Sequence, residues 1–235
     1  MSIAILTAGG IGSRTNLSVP KQFININDKP IIIYTLEAFQ KHPNIEEIYV
    51  SILKGWENVL KAYAKQFGIS KLRMIVVGGS TGQMSIFNSL KAIKEDHDTT
   101  DGLVVTVHDG NRPMVGQDII TDNIVKQRIY GSAVAVIPTN EVVFLSENGN
   151  DSIKSFDRKK MWRTQTPHSY FFDELFEIHN LAIEKGITDT VASCELMEKF
   201  GKKTYFSKGS EKNLKITTLE DLDIFKAFVM QGIPL

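Results

Sequence analysis

The segment Thr7 to Phe23, TAGGIGSRTNLSVPKQF, follows an apolar run and sets Gly9, Gly10 and Gly12 ahead of two cations, Arg14 and Lys21, with no acid between them. Glycines let a backbone turn tightly and let a ligand come close to its N–H groups. Fixed positive charge on the same loop points to a nucleotide's phosphates. A bare tight turn is the competing reading, and it leaves Arg14 and Lys21 unexplained. Three further places carry chemistry-bearing residues: Gly78, Gly79 and Ser85, then Asp109 and Arg112 in HDGNRP, then Lys215. A carboxylate at Asp109, closing an apolar run, either caps a turn or holds a divalent metal against phosphates. Both readings stay open on spacing alone.

Motif checks narrow the chemistry. A Walker A loop needs Lys-Ser/Thr after its last glycine, but Gly12 is followed by Ser13-Arg14; a dinucleotide fingerprint needs a third glycine where Thr15 stands. The acidic run Asp96-His97-Asp98 lies in the polar stretch KEDHDTTDG and reads as a solvated turn. The five histidines show no metal-ligand spacing, and His108 reads as a support for its neighbour Asp109. Cys194, the single cysteine, excludes an intramolecular disulfide and reads as a small buried hydrophobe. The aromatics of SYFFDELF read as core.

The elements that must position these residues follow from hydrophobic periodicity. Strands are expected at SIAILT, EEIYVSIL, KLRMIVVGG, GLVVTVHDG and SAVAVIP, with helices at PIIIYTLEAFQKH, WENVLKAYAKQFG and TGQMSIFNSLKAIKED between the earlier ones. This alternation predicts an α/β fold, a Rossmann-like, doubly wound and mostly parallel sheet. In such sheets ligands bind at the carboxyl ends of the strands, where the glycines, Asp109 and Arg112 fall. The pattern breaks at 139–158, where EVVFLSENGNDSIKSFDR holds two short β-like runs around Asn148-Gly149, a projecting hairpin arm. Helices at FFDELFEIHNLAIEKG and TDTVASCELMEKFG, a short strand NLKIT, and a closing helix capped by Thr217 or Thr218 complete the expectation. Residues 1–235 read as one domain carrying this arm.

Bulk properties exclude several classes. The chain has 27 basic and 27 acidic residues and zero net charge, so nothing suggests nucleic acid or an anionic membrane as a partner. The first strand begins at once, and no apolar run reaches membrane-spanning length, so a cytoplasmic location is expected.

Six pieces in order, TAGGIGSRT, PKQF, VHDGNRP, RTQTPHSY, TDTVAS and NLKITTLEDL, resemble the cytidylyltransferases that act on methylerythritol phosphate and on ribitol phosphate. The resemblance spans nearly the whole chain. It implies a nucleotidyltransferase fold whose arm dimerises, with CTP and a polyol phosphate as substrates and Mg²⁺ as cofactor. It implies that Ala8, Gly9, Gly10, Ile11 and Gly12 cradle CTP, with Arg14 and Lys21 on its phosphates and Gly79 and Ser85 near the cytosine and ribose. It further implies Asp109 as the magnesium-associated acid and Lys215 as a cation at the reacting phosphates. Arg112, Arg158 and Thr166 match acceptor-side positions, Arg158 reaching into the partner subunit.

The departures fall mostly on the acceptor side. Gly82 stands where an arginine is usual, Gly110-Asn111 within HDGNRP replaces a pair of small residues, and His168 replaces a glutamine. Val142 and Lys212 replace a threonine and an aspartate common in the methylerythritol branch. The expectation is therefore CMP transfer to an acyclic polyol phosphate of the ribitol or glycerol type, for a cell-wall or capsular polymer. Methylerythritol phosphate activation is the runner-up. From other classes, a dinucleotide-binding oxidoreductase lacks its third glycine, and a silent nucleotide sensor would follow from Gly82 disabling the site.

Overall fold

The structure, a computed structural model, describes residues 1–10 and 19–232. Arg14, Ile11 and Gly12, expected on the nucleotide loop, lie outside the described residues. In chain order the strands are β1 (Ser2–Ala8), β2 (Asn25–Ile26), β3 (Lys29–Pro30), β4 (Glu47–Ile52), β5 (Leu72–Val77), β6 (Val104–Asp109), β7 (Ser132–Pro138), β8 (Val143–Leu145), β9 (Lys154–Phe156), β10 (Trp162–Phe171) and β11 (Phe206–Lys208). The helices are α1 (Ile31–Lys41), α2 (Glu57–Gln66), α3 (Gly82–Asp96), α4 (Gln117–Tyr130), α5 (Phe172–Glu184), α6 (Ser193–Lys199) and α7 (Leu219–Met230).

Seven strands form the central sheet in the order β11-β7-β10-β6-β1-β4-β5. All neighbours run parallel except β10, which is antiparallel to both β6 and β7. The expected doubly wound α/β architecture is what the chain adopts. Side chains alternate across each strand, so β1 feeds two cores at once. Ala4, Leu6 and Ala8 pack with α1, α2 and α4 on one face, while Ile3 and Ile5 pack with α3, α5 and α6 on the other. A third cluster joins α7 to α1 through Phe225, Leu222, Ile31 and Tyr34.

Helix signals act where the residues predicted them. Gly68 and Gly186 take left-handed φ of 66° and 70° just after α2 and α5. Thr218 caps α7 in a reciprocal capping box with Asp221.

Four elements differ from expectation. Helix α4 carries little amphipathic signal because its buried face mixes Ile119, Ile120 and Ile124 with Asn123 and Gln127. Asn123 is satisfied there, donating to the Pro167 carbonyl (3.1 Å) and Ser207 Oγ (2.7 Å) and accepting from Ser169 Oγ (2.5 Å). The longest strand, β10, buries the polar residues Gln165, His168 and Ser169, which hides it from hydropathy. Its Tyr170 is core, whereas Phe171 of the same aromatic run points outward and is partly exposed. Residues 213–217, NLKIT, are not a strand, and the sheet's edge is β11 instead.

The acidic run is also no free turn. Asp96 ends α3 and accepts a bidentate pair from Arg73 (2.7 and 2.9 Å) and a bond from the Tyr49 hydroxyl (2.5 Å). His97 lies 3.1 Å from Glu47. Glu47, Asp96 and His97 thus offer ligand atoms within 4.8 Å of one another, an arrangement no spacing in sequence displays. They sit at the amino end of β4, away from the strand ends that carry Gly9 and Asp109.

The hairpin arm forms where it was placed. Strands β8 and β9 pair antiparallel, Val143 opposite Phe156, and Gly149 at their turn has φ of 76°.

Candidate active site

A cleft of about 780 Å³ opens at the carboxyl ends of β1, β4, β5 and β6, within the range of ordinary ligand pockets. Ala8, Gly9, Gly10, Lys21, Gly79, Ser85, Asp109, Arg112, Thr166 and Lys215 all line it. Residues from five separate stretches of sequence are thereby brought together. Arg158 is not among them. It sits in a single 3-10 turn (Arg158–Lys160) at the base of the arm, its guanidinium donating to the Asn140 carbonyl at 3.1 Å.

The glycine wall works by lacking side chains more than by turning tightly, since none of Gly9, Gly10, Gly78 and Gly79 has positive φ. A Cβ on Gly79 would lie 2.4 Å from Met84 Cβ and 2.7 Å from Met84 C, inside the first turn of α3. Ser85 holds this turn in place, accepting from Gly79 N (3.0 Å) and donating to the Thr81 carbonyl (2.9 Å). Thr81 caps α3 through its hydroxyl, which leaves the positive end of the helix dipole facing the cleft. At Gly82 a Cβ would meet nothing within 4 Å among the described residues, so the position where an arginine is usual adds no side chain to the cleft wall.

The charged centre is Asp109, at the end of β6 and in register with Thr7 of β1. Its Oδ1 accepts from Lys215 Nζ at 3.0 Å and its Oδ2 from Arg112 Nε at 2.9 Å. Burial alone would raise its pKa, but Lys215 and Arg112 outweigh that and hold the carboxyl well below the usual carboxylate range. The open question about Asp109 thus gains a partial answer, because it anchors two cations that reach it from distant parts of the chain.

Uncharged amides that the sequence did not single out build the frame around this centre. Gln22 of PKQF donates to the carbonyls of Ala8 (2.6 Å) and Gly10 (3.3 Å), pinning the start of the glycine loop. Asn111 donates to the Ile216 carbonyl (2.5 Å) and accepts from Ile216 N (2.9 Å), tying the Lys215 segment to the Asp109 turn. Asn213 donates to the Thr166 carbonyl (2.8 Å), and its own carbonyl accepts from Arg112 Nη1 (2.7 Å). A register shift between Thr164 and His168 frees this part of β10 from its ladder, so Thr166 Oγ1 accepts from Asp109 N at 3.0 Å. Gln83 binds the loop before α6, donating to the Ile187 carbonyl (2.7 Å) and accepting from Thr190 N (2.9 Å).

Two histidines support the floor. His108 lies 3.1 Å from the Arg112 carbonyl under the Asp109 turn, and burial pushes it down to about 3. His168 Nδ1 lies 2.9 Å from Ser193 Oγ, and burial lowers that ring to about 4. Both are neutral at pH 7. Cys194 lies half-buried on α6, its thiol pushed up by burial, and does not line the cleft.

A cleft of glycines and cations around one ionised acid, at the strand ends of this fold, matches what the six sequence motifs imply. The family model described as 2-C-methyl-D-erythritol 4-phosphate cytidylyltransferase (IspD) matches residues 2–231. The chain belongs to this cytidylyltransferase family. The cytidylyltransferase is 39% identical over 233 residues to a ribitol-5-phosphate cytidylyltransferase of Lacticaseibacillus paracasei, covering 98% of this chain and 99% of that one. It is 35% identical over 223 residues to a 2-C-methyl-D-erythritol 4-phosphate cytidylyltransferase of Clostridium acetobutylicum, covering 94% of each. Among solved structures, that of the Francisella tularensis 2-C-methyl-D-erythritol 4-phosphate cytidylyltransferase superposes with a TM-score of 0.81 at 27% identity, covering 96% of this chain and 98% of that one. The resemblance read from the motifs is borne out, and so is the reading as a nucleotidyltransferase. Among the described residues no helix is long and apolar enough to cross a membrane.

Proposed function

We propose that this enzyme transfers CMP from CTP to the phosphate of an acyclic polyol phosphate, with ribitol 5-phosphate the favoured acceptor, in the cytoplasm. The observation that carries the acceptor is the 39% identity to a ribitol-5-phosphate enzyme over nearly the whole of both chains. The replacements at Val142 and Lys212 lean the same way. Methylerythritol phosphate is the second reading, carried by the 35% identical relative.

An acceptor phosphate oxygen attacks the α-phosphorus of CTP, the new P–O bond forms, and the bond to the β-phosphate's bridging oxygen breaks. Pyrophosphate leaves with that electron pair. Two anions must meet, so the reaction asks for positioning and charge neutralisation and needs no covalent nucleophile. Gly9, Gly10 and Gly79 leave room for the nucleotide, and the capped start of α3 offers N–H groups to it. Lys21 and Lys215 neutralise the phosphates, joined in this reading by Arg14. Arg112 and Thr166 border the acceptor side. Asp109 fits a magnesium ion as a single hard, ionised oxygen donor at the cleft, the remaining ligands coming from nucleotide phosphates and water. Bound there, Mg²⁺ supplies further charge neutralisation at the phosphates.

The arm supports a homodimer. Val142 and Phe144 are each 62% exposed and Ile153 is fully exposed, on a hairpin too patterned to be a loose loop. A second copy covering these residues would also receive Arg158 near its acceptor phosphate, where a guanidinium suits paired oxygens.

Pyrophosphate release with CTP across ribitol 5-phosphate, glycerol 3-phosphate and methylerythritol 4-phosphate tests the acceptor. The highest kcat/KM is expected for ribitol 5-phosphate, and a higher value for methylerythritol 4-phosphate moves the enzyme to the second reading. CTP should exceed ATP by roughly a hundredfold in kcat/KM, because a purine leaves the site's buried polar groups mispaired.

A further inference from the structure

We infer that Lys215 is a placeholder cation: in the free enzyme its ammonium occupies the Asp109 oxygen that a divalent cation uses, and it moves to the nucleotide's phosphates when metal and nucleotide arrive. The inference rests on the proposed nucleotide chemistry of the cleft. It concerns what Lys215 does before the reaction begins.

The two cations on Asp109 are held very differently. Arg112 is fastened twice, to Asp109 Oδ2 (2.9 Å) and to the Asn213 carbonyl (2.7 Å), and its side chain is only 12% exposed. Lys215 has Asp109 Oδ1 as its one polar side-chain partner among the described residues, and its side chain is 43% exposed. The backbone around it is nonetheless fixed, because Ile216 exchanges two hydrogen bonds with Asn111. A firm backbone bearing a long, half-exposed ammonium on a single contact is built to swing its head group while its base stays put. Arg112 cannot do the same without giving up a second bond.

The chemistry favours the exchange. Asp109 is ionised and each of its oxygens already accepts from a cation, so a hard cation approaching Oδ1 meets the charge of Lys215 and is favoured as Lys215 gives way. Alone, a hydrated divalent ion must compete with an ammonium already in contact. Once triphosphate oxygens enter the cleft, Lys215 has anionic partners of its own, and leaving Asp109 costs it no charge pairing. Metal and nucleotide therefore bind Asp109's site together far better than metal alone. The exchange also keeps Oδ1 of the carboxylate paired in the free cleft, Arg112 holding Oδ2 throughout.

The test is Mn²⁺ binding without nucleotide, followed by electron paramagnetic resonance, on the wild type, Lys215→Met and Lys212→Met. Lys212 is exposed and three residues away, so its loss removes a similar charge without touching Asp109. Removing an ammonium in direct contact with a part-buried carboxylate should tighten Mn²⁺ binding by about tenfold or more, with Lys212→Met within about twofold of wild type. Equal affinities in all three proteins, equal tightening in both variants, or no Mn²⁺ binding by Lys215→Met would each overturn the inference. Lys215→Gln serves if the methionine variant melts early. None of these readouts involves turnover, so they stand apart from the identity of the acceptor.

Discussion

Asp109 joins the catalytic reading to the frame that supports it. Replacing it by Asn keeps the size and removes the charge that gathers Lys215, Arg112 and the proposed metal. Turnover should fall on the order of a hundredfold or more, as for loss of one electrostatic contact in a transition state. Partial recovery at high Mg²⁺ is expected in steady-state kinetics, and an unchanged rate would remove Asp109 from the mechanism. The charged members of this site were legible in the sequence because Lys21, Asp109, Arg112 and Lys215 stand in motifs that place cations and one acid at strand ends. The amides Gln22, Gln83, Asn111, Gln165 and Asn213 were not. Each acts on a backbone group or side chain brought to it by folding, for example Asn111 on Ile216 and Gln83 on Ile187, and no local pattern announces such a pairing.

Helix α3 presents the proposed nucleotide wall, and its first turn offers a paired test. Gly79→Ala drives a methyl group into Met84 backbone, so both thermal stability and CTP affinity should fall. Gly82→Ala places its methyl at a helix start, clear of every described residue, and should hold or raise stability by up to about 1 kcal/mol. Thermal melts and CTP KM for the two variants check this, and equal behaviour would contradict the account of the wall. The strands and helices with clean apolar periodicity, β1, β4, β6, α1 and α3, were readable before the structure. Helix α4 and strand β10 were not, because Asn123, Gln127, Gln165, His168 and Ser169 are buried polar residues satisfied by tertiary contacts. NLKIT reads as a strand from its apolar alternation, yet it is held by single hydrogen bonds to Asp109, Asn111, Arg112 and Thr166 and not by a strand ladder.

Across the whole molecule, buried neutral histidines set the acid response. His108 is lowered to about 3, and His168 and His179 to about 4, chiefly by burial. The folded protein holds these rings uncharged while the unfolded chain protonates them near pH 6.5, so their contribution is complete above that pH and lost as pH falls toward 4. At pH 5 each ring costs roughly 2 kcal/mol relative to pH 7. His179 stacks on Phe87 at 5.6 Å with both ring nitrogens lacking a hydrogen-bond partner among the described residues, so His179→Phe should flatten this loss in urea titrations at pH 7 and pH 5. An unchanged slope would show that ring already charged in the fold.

In the proposed homodimer the arm meets a second copy. Its hairpin was legible from Asn148-Gly149 between two short β-like runs, whereas no local pattern names the surface that would cover it. Ile153→Asp with Phe144→Asp should convert a dimer to a monomer in light scattering, and a dimer that persists would exclude the arm as its interface. Mixing Arg158→Ala with Lys21→Ala chains should restore activity on subunit exchange if the sites are shared, and nothing if each chain acts alone.

Phosphorus NMR of enzyme, Mg²⁺, CTP and ribitol 5-phosphate reads directly the bond that is made. CMP transfer to the acceptor predicts that the CTP resonances give way to pyrophosphate and a CDP-ribitol diphosphodiester in equal amounts, as the ribitol 5-phosphate resonance disappears. Pyrophosphate with free CMP, or orthophosphate with CDP, while ribitol 5-phosphate stays intact, would contradict it.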